Sequence, residues 1–368
     1  MAIDKHRGKW RARWRDASGI QRAKTFDRKA DAQAHMAAIV TAKRTGHLAT
    51  EPTTMTIAAL ADEWLAAKTG TVSASTIETY RRDLDRYILD AFGGTRAAKL
   101  TPSAIQKWLS AELAAGYAPS SVHRHYRILR SMFAWAVKMK LMVENPCDPV
   151  TPPKVPRTDL EVFTVEQVEK IASVITPRYR AFVLIAAYGG LRFSELVGLR
   201  RRDIDGPTIT VNGQLRIVNG EWVRTEPKTA AGRRRVTLPP SVAAEVAAHL
   251  DEFTGPEPDD LVFTNQHGRP VGPSFRGNNW PEACTAAGMG RRTIKNHKPA
   301  YEGVPRFHDL RHTSVALAIA AGAHPKAIQQ RAGHSSIGVT MDTYGHLMAG
   351  MDAELADRLD AMRPDTGD

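Results

Sequence analysis

The stretch from 306 to 346, RFHDLRHTSVALAIAAGAHPKAIQQRAGHSSIGVTMDTYGH, constrains this chain more than any other. It gathers His308, Arg311, His312, His334, Tyr344 and His346 around an apolar, helix-forming middle. Groups that titrate or donate hydrogen bonds are costly to hold on an apolar frame unless chemistry needs them. His308 and Arg311 are three apart, so both point to one side of a first helical turn. Gly333-His334-Ser335-Ser336 reads as a helix end or turn, and Tyr344 follows in GVTMDTYGH. The fold must bring these groups to one place.

At 368 residues the chain has room for two or three domains, each with its own core. Its 42% hydrophobic and 24% charged residues are ordinary for a soluble globular protein. The net charge of +12 is not ordinary, and it favours a polyanionic partner, most simply nucleic acid. Cys147 and Cys284 are far apart, which leaves no disulfide framework and no Cys-based zinc motif. MAIDKHRGKW lacks the apolar run of a signal peptide, and no stretch has the roughly 20 apolar residues that span a bilayer. The expectation is a cytoplasmic protein with no membrane partner.

The first 50 residues read as a small basic domain. KWRARWR (9–15) alternates, with Trp10, Ala12 and Trp14 on one face of a strand and Lys9, Arg11, Arg13 and Arg15 on the other. Residues 16–19 signal a turn, 20–26 a second strand, and Asp27 can cap a helix running to about Arg44. From 1 to 46 there are twelve Lys/Arg and four Asp/Glu, a local excess of +8. A sheet backed by one helix can lay such a face in a DNA groove, while the bland reading is a solvated edge that deters aggregation. Residues 45–56 read as a linker.

From about 55 to 150 the pattern is helical. Ile57, Leu60, Ala61, Trp64 and Leu65 form one stripe; Ser75 with Glu78 suggests a capping box; Thr101-Pro102 opens a third helix; Ser120 or Ser121 opens a fourth. Arg81, Arg82, Arg86, Arg124, Arg127, Arg130, Lys138 and Lys140 occupy the polar faces of the second and fourth helices. Such faces are often merely solvated, but after a basic first domain they read as a second DNA contact. Residues 145–158, rich in Pro, read as an extended linker.

The remainder, 159–368, reads as an α+β domain. Thr164 and Gln167 form a capping box, and a buried helix ends at Gly189-Gly190. Arg192 and Glu195 then sit one turn apart on a new helix. Strands follow over 208–211, 214–218, 221–224 and 235–238, with Lys228 in the hairpin turn EPKTAAGRRR. In the tail, Met351, Leu355, Leu359 and Met362 share a helical stripe that either packs on its own domain or docks on a neighbouring protomer.

Convergence of Arg192, Arg311, Lys228, two His and Tyr344 would make a phosphoryl-transfer site. Two guanidiniums can grip the non-bridging oxygens of a phosphodiester and neutralise a pentacoordinate transition state. A tyrosine hydroxyl can attack phosphorus covalently, but with an ordinary pKa near 10 it needs cations or a base, which His308 and the arginines would supply. Lysine is suited to protonate the departing 5′-oxygen. No metal and no cofactor is required.

GGLRFSEL, PKTAAGRRRV, HDLRHT, AGHSSI and TMDTYGH resemble, in order and approximate spacing, the motifs of the tyrosine recombinase family, in particular phage-type integrases. The resemblance covers roughly 160–348 and extends more loosely to the two earlier domains. It implies catalytic Arg192, Lys228, His308, Arg311, His334 and Tyr344, with Tyr344 as nucleophile of a 3′-phosphotyrosyl intermediate. His334 would assist phosphate activation and Glu195 would support the Arg192 site; His312 and His346 read as structural. It further implies an arm-type DNA-binding domain at 1–50, a core-binding domain at 55–150 and a catalytic domain at 159–368. Partners would be double-stranded attachment sites, three further protomers in a tetramer, a DNA-bending accessory protein and an excisionase.

Two other readings compete. His308-x-x-x-His312 has the spacing of zinc proteases, but Asp309 stands where their Glu would be, an Arg lies between the histidines, and no third ligand is evident. A DNA-binding regulator that never cuts would share the basic surfaces but has no need of Tyr344.

Overall fold

The computed structural model describes residues 2–15, 21–44, 54–156, 161–227, 230–295, 297–345, 356 and 359–362. The chain divides into two compact units, Met1–Arg157 and Thr158–Asp368.

The first unit begins with an antiparallel meander of β1 (Ala2–His6), β2 (Lys9–Arg15) and β3 (Gln21–Phe26), followed by α1 (Lys29–Arg44). The alternation in β2 holds: Ala12 is fully buried against Ala32, Met36 and Ile39, with Trp10 and Trp14 packed beside it. β1 is an addition to the sequence reading, since AIDKH has no apolar alternation to announce it. It matters for charge. Asp4 on β1 takes Arg11 at 3.0 Å and Arg13 at 2.7 Å, and Asp27 takes Lys9 at 2.8 Å. Asp27 is thus engaged by β2, and the helix starts two residues later. The cationic face is partly neutralised within the sheet. The turn at 16–19 and linker residues 45–53 lie outside the described residues.

Then follow α2 (Ile57–Lys68), α3 (Ala74–Asp83), a π-turn over Leu84–Ile88, α4 (Leu89–Phe92), α5 (Pro102–Ala114) and α6 (Pro119–Lys138). The expected stripe of α2 is buried, and its first turn is capped by Thr56, whose Oγ1 accepts from Ala59 N at 3.3 Å. Thr101 caps α5 in the same way, with Pro102 at the first helical position. Two expectations are corrected. The second helix starts after Ser73, so Ser75 lies inside its first turn and the box with Glu78 does not form. α6 starts at Pro119 with Ala118 as its cap residue, because proline's fixed φ suits the first turn better than the serines that follow.

A third correction concerns the start of the expected linker. Cys147 and Val150 are buried on α6, and the Tyr126 hydroxyl lies 2.9 Å from Cys147 O and 3.2 Å from Val150 O. Asn145 Nδ2 donates to Arg130 O at 3.1 Å. Residues 145–150 are therefore packed core rather than spacer.

The second unit opens with α7 (Val165–Val174), whose Thr164–Gln167 capping box forms as expected. α8 (Arg180–Leu184) runs into a π-turn at Ile185–Gly189 and stops at Gly190, which adopts φ +68°, a left-handed conformation that glycine accepts readily. α9 (Phe193–Val197) begins at once. β4 (Ile204–Asp205), β5 (Thr208–Val211) and β8 (Arg234–Thr237) form one antiparallel sheet, and β6 (Gln214–Val218) with β7 (Glu221–Thr225) a separate hairpin. The segment 226–235 is therefore no hairpin turn. β8 leaves β7 to pair with β5, where Val236 lies opposite Ile209 and both are buried. Lys228 lies outside the described residues.

Beyond α10 (Pro240–Phe253) come α11 (Trp280–Ala286) and a hairpin of β9 (Arg291–Lys295) and β10 (Lys298–Glu302). The hairpin has no apolar period of its own, whereas Trp280, Ala283 and Cys284 bury one face of α11. α12 (Asp309–Ala320), α13 (Pro325–Ala332) and α14 (Ile337–Tyr344) complete the unit. Phe163, Phe182, Phe263, Phe275, Trp280 and Phe307 anchor its main core, and a smaller cluster of Val315, Ile319, Ile328, Ala332 and Tyr344 holds the last three helices together. Of the tail stripe, Met351 and Leu355 lie outside the described residues, while Leu359 and Met362 are exposed. Among the described residues no helix is long and apolar enough to cross a membrane.

Candidate active site

Two chain reversals build the site. The left-handed Gly190 ends the buried helix so that Arg192 becomes the first residue outside α9, and the left-handed Gly333 (φ +64°) ends α13 so that His334 turns inward. Arg311 joins them. Its Nη1 donates to Gly190 O and its Nη2 to Ala332 O, so the first turn of α12 is tied to both reversals.

Glu195 is the electrostatic counterpart. Arg192 donates to it from the backbone N at 2.9 Å and from Nη1 at 2.8 Å, and Arg234 from Nη2 at 2.8 Å. Burial alone would raise this carboxyl, but Arg234, followed by Arg192, holds it down at about 2. Arg234 itself is almost wholly buried and donates from Nε to Arg331 O at 2.7 Å, while Arg192 Nη2 donates to Gly333 O at 3.2 Å. The arginines thus link α9 and β8 to the end of α13. Burial, with Arg192 and Arg234 nearby, pushes Arg311 down to about 9, so it still carries its charge at neutral pH.

The histidines divide differently from the sequence reading. Nδ1 of His312 lies 2.5 Å from the Tyr344 hydroxyl, so His312, read as structural, is the imidazole in contact with the candidate nucleophile. His308 instead meets His312 edge to face, with ring centroids 5.2 Å apart. His334 is fixed by Thr340 Oγ1 at 2.9 Å and lies parallel to the Tyr344 ring at 6.4 Å. Burial, then the charges of His312 and Arg311, lowers His308 to about 4. Burial, then Arg311 and Arg192, does the same to His334. Burial also lowers His312 and raises Tyr344, with Arg311 opposing the latter. At neutral pH the site therefore holds neutral imidazoles beside a protonated phenol.

An open cavity of about 250 Å³ borders this frame, lined by Arg192, Glu195, Gln214, Arg216, Gly333 and Ser335 among others. Pro227 also lines it, one residue before Lys228. Among the described residues no group of three or more His, Cys, Asp or Glu side chains is placed to hold a metal ion.

Residues 161–350 match the Phage integrase family, and residues 56–113 match the Phage integrase N-terminal SAM-like domain. The chain belongs to the phage integrase family. It is 32% identical over 299 residues to a putative prophage phiRv2 integrase of Mycobacterium tuberculosis, covering 80% of this chain and 76% of that protein. An integrase of Mycobacterium phage FRAT1 is 30% identical over 83% of this chain and 88% of its own length. The fold matches the Tn1549 transposon integrase, solved in complex with transposon right-end DNA. There the TM-score is 0.68 at 24% identity, over 82% of this chain and 98% of that one. This integrase is a phage-type tyrosine recombinase, and the multidomain, mainly helical architecture read from the sequence is the one observed.

The structure brings Arg192, Glu195, Arg311, His308, His334 and Tyr344 into one region of the second unit. Arg234 joins them without a sequence signal of its own, since RRRV offers three arginines in a row and only the burial of its side chain against Glu195 selects one. The residues expected to touch DNA are more varied. Arg81 pairs with Asp62 at 2.7 Å, and Arg82 and Arg124 both pair with the buried Asp83. Arg127 is exposed and has no ion pair among the described residues, and Arg15 is exposed at the end of β2.

Arg234→Met would leave Glu195 buried against one guanidinium. Breaking such a pair costs about 3 kcal/mol, which lowers Tm by roughly 6–12 °C in a unit of this size. A melting scan that shows no change would contradict the assigned role. A second expectation concerns acid. His308 and His334 titrate near 4 in the fold instead of 6.5, so the unfolded chain binds more protons between those values. Stability is therefore full above pH 6.5 and falls as pH drops towards 4. Glu195, held at about 2 instead of 4.5, adds a further loss below pH 4.5. Melting curves across this range should show the decline, and His308→Gln combined with His334→Gln should flatten its upper part.

Proposed function

We propose that this integrase cuts and rejoins DNA through Tyr344. The 2.5 Å contact between its hydroxyl and His312 Nδ1 carries the reading, because it joins a nucleophile to a base held neutral at pH 7. His312 takes the phenolic proton, and the Tyr344 oxygen attacks phosphorus of a strand seated over the cavity beside Arg192. The bond from phosphorus to the 5′-oxygen breaks, leaving a 3′-phosphotyrosyl link and a free 5′-hydroxyl that takes its proton from Lys228. Attack by a 5′-hydroxyl on the phosphotyrosine reverses the step and returns the proton to Tyr344, so rejoining needs neither metal nor ATP.

The two catalytic guanidiniums have separate tasks. A guanidinium has five N–H donors. Arg192, half-exposed at the cavity, spends two on Glu195 and Gly333 O and keeps three for the phosphate. Arg311 is buried and acts chiefly as a fixed positive charge beneath the site. Tyr344 is itself buried, so the strand reaches it only as α14 shifts from its packed position. His334 supports phosphate activation, and His308, edge to face against His312, orients the base.

The partner of this chemistry is double-stranded DNA. In this reading the 1–50 domain contacts arm-type sites through Lys9, Arg11, Arg13 and Arg15, and the 55–150 domain contacts core sites through Arg81, Arg82, Arg124 and Arg127. Their carboxylate partners would be exchanged for phosphates on binding. The exposed Leu359 and Met362 fit a tail that docks on a neighbouring protomer of a DNA-bound tetramer. A DNA-bending protein and an excisionase would then set direction. The protein would work in the cytoplasm of its host, on DNA.

On a nicked duplex that traps the covalent complex, Tyr344→Phe should retain DNA binding and form no protein–DNA adduct. Lys228→Ala and Arg311→Ala should slow adduct formation by on the order of a hundredfold or more. Adducts at the native rate with Tyr344→Phe would overturn the nucleophile assignment.

A further inference from the structure

The β9–β10 hairpin is unaccounted for by the site, although Glu302 at its end lies only six residues before His308. Its base is rigid. Arg291 grips Glu302 through Nε at 2.9 Å and Nη2 at 2.6 Å, and a Cβ on Gly290 would meet Val304 Cγ2 at 2.5 Å. Beyond that base most of the ribbon's residues are exposed. Arg292, Lys295 and Lys298 are exposed and have no ion pair among the described residues, and the hairpin's one carboxylate is already taken by Arg291.

Two features of the tip break the rules by which a hairpin stabilises itself. Lys295 lies directly opposite Lys298, and like charges across a ladder repel. Ile294 is 81% exposed, more than any other large hydrophobic among the described residues. Alternation along the strands sorts these groups. Ile294 and its cross-strand neighbour Pro299 share one face with Arg292 and Tyr301, while Lys295 and Lys298 lie on the other. A solvated edge protected by lysines would have no reason to offer an isoleucine as well. Local inconsistencies of this kind, left uncompensated within the fold, mark surfaces built for a partner.

We propose that this hairpin is a DNA-contacting arm, distinct from the basic faces of the first unit. Lys295, Lys298 and Arg292 bind phosphates on the two sides of a groove, and Ile294 with Pro299 enters between them as an apolar wedge against a base step. Cations complement the polyanion, a two-stranded ribbon fits a groove, and Ile and Pro are wedge residues that unstack and bend a duplex. The arm rests on the reading that the chain acts on DNA, and it adds a contact close in sequence to His308.

The test uses the full chain and a fluorescein-labelled duplex of mixed sequence, with binding followed by anisotropy from about 50 to about 200 mM KCl. Combined Arg292→Gln, Lys295→Gln and Lys298→Gln should weaken binding at least about tenfold at low salt and reduce the slope of log K against log salt by about 2 to 3. Ile294→Ser should keep that slope but reduce the bend, read by energy transfer between dyes at the duplex ends. All four side chains are exposed, so folding is not at stake. If the unaltered chain binds no duplex, the recombinase reading itself fails. If it binds and the triple variant matches it in affinity and slope, only the arm is overturned. An unchanged bend with Ile294→Ser removes the wedge. DNA binding that is unchanged while the size of the DNA complex in sedimentation falls would make the hairpin a protein contact instead.

Discussion

Glu195, a single buried carboxylate between Arg192 and Arg234, is the interaction on which the rest of the site depends. Three guanidiniums meet in this region, and burial without a counter-charge would drive them apart or strip their protons. Glu195 permits the assembly because two arginines hydrogen-bond to it directly, and its negative charge also reaches Arg311. The backbone contributes the remainder. Carbonyls of Gly190, Arg331, Ala332 and Gly333 receive arginine donors, so the ends of two helices become the acceptors that hold a cluster of cations in place. These carbonyls are free because helices leave their last C=O groups unpaired.

Burial has the opposite effect on the proton-carrying groups, and that is useful. It lowers His308, His312 and His334 and raises Tyr344, so at neutral pH the imidazoles are neutral and the phenol protonated, the forms from which the proposed reaction starts. Neutral His312 can accept; protonated Tyr344 can give. Positive charge from Arg311 works against the burial of Tyr344 and favours the phenolate at the moment it forms. The same low-dielectric frame that makes the arginines expensive thus suits the proposed proton transfer.

Much of this was legible in the residues, and the rest was hidden for physical reasons. HDLRHT and GGLRFSEL announce helix starts with functional groups in the first turn, because local spacing decides both. Arg234 could not be singled out, since RRRV becomes one buried and two less buried arginines only when β8 pairs with β5 and sets Arg234 opposite Val211. The contact of His312 was hidden for a related reason: its partner Tyr344 is 32 residues away, and only the packing of α12 to α14 joins them. The start of α3 after Ser73 rather than at Ser75 is a shift that sequence alone does not resolve, because no serine side chain caps the first turn. β1, β9 and β10 carry no apolar alternation because they earn their place through charge and through their neighbours. The packed segment at 145–150 looked like a spacer, as its prolines carry the signal while Tyr126, which holds it, lies on another helix.

The central claim is that Tyr344, facing His312, is the atom that joins the protein to DNA. Mass mapping of the covalent complex formed on a nicked duplex addresses it most directly. After nuclease and protease digestion, the account predicts that the nucleotide remnant sits on the peptide containing Tyr344, attached to that tyrosine. A remnant on any other residue would contradict it.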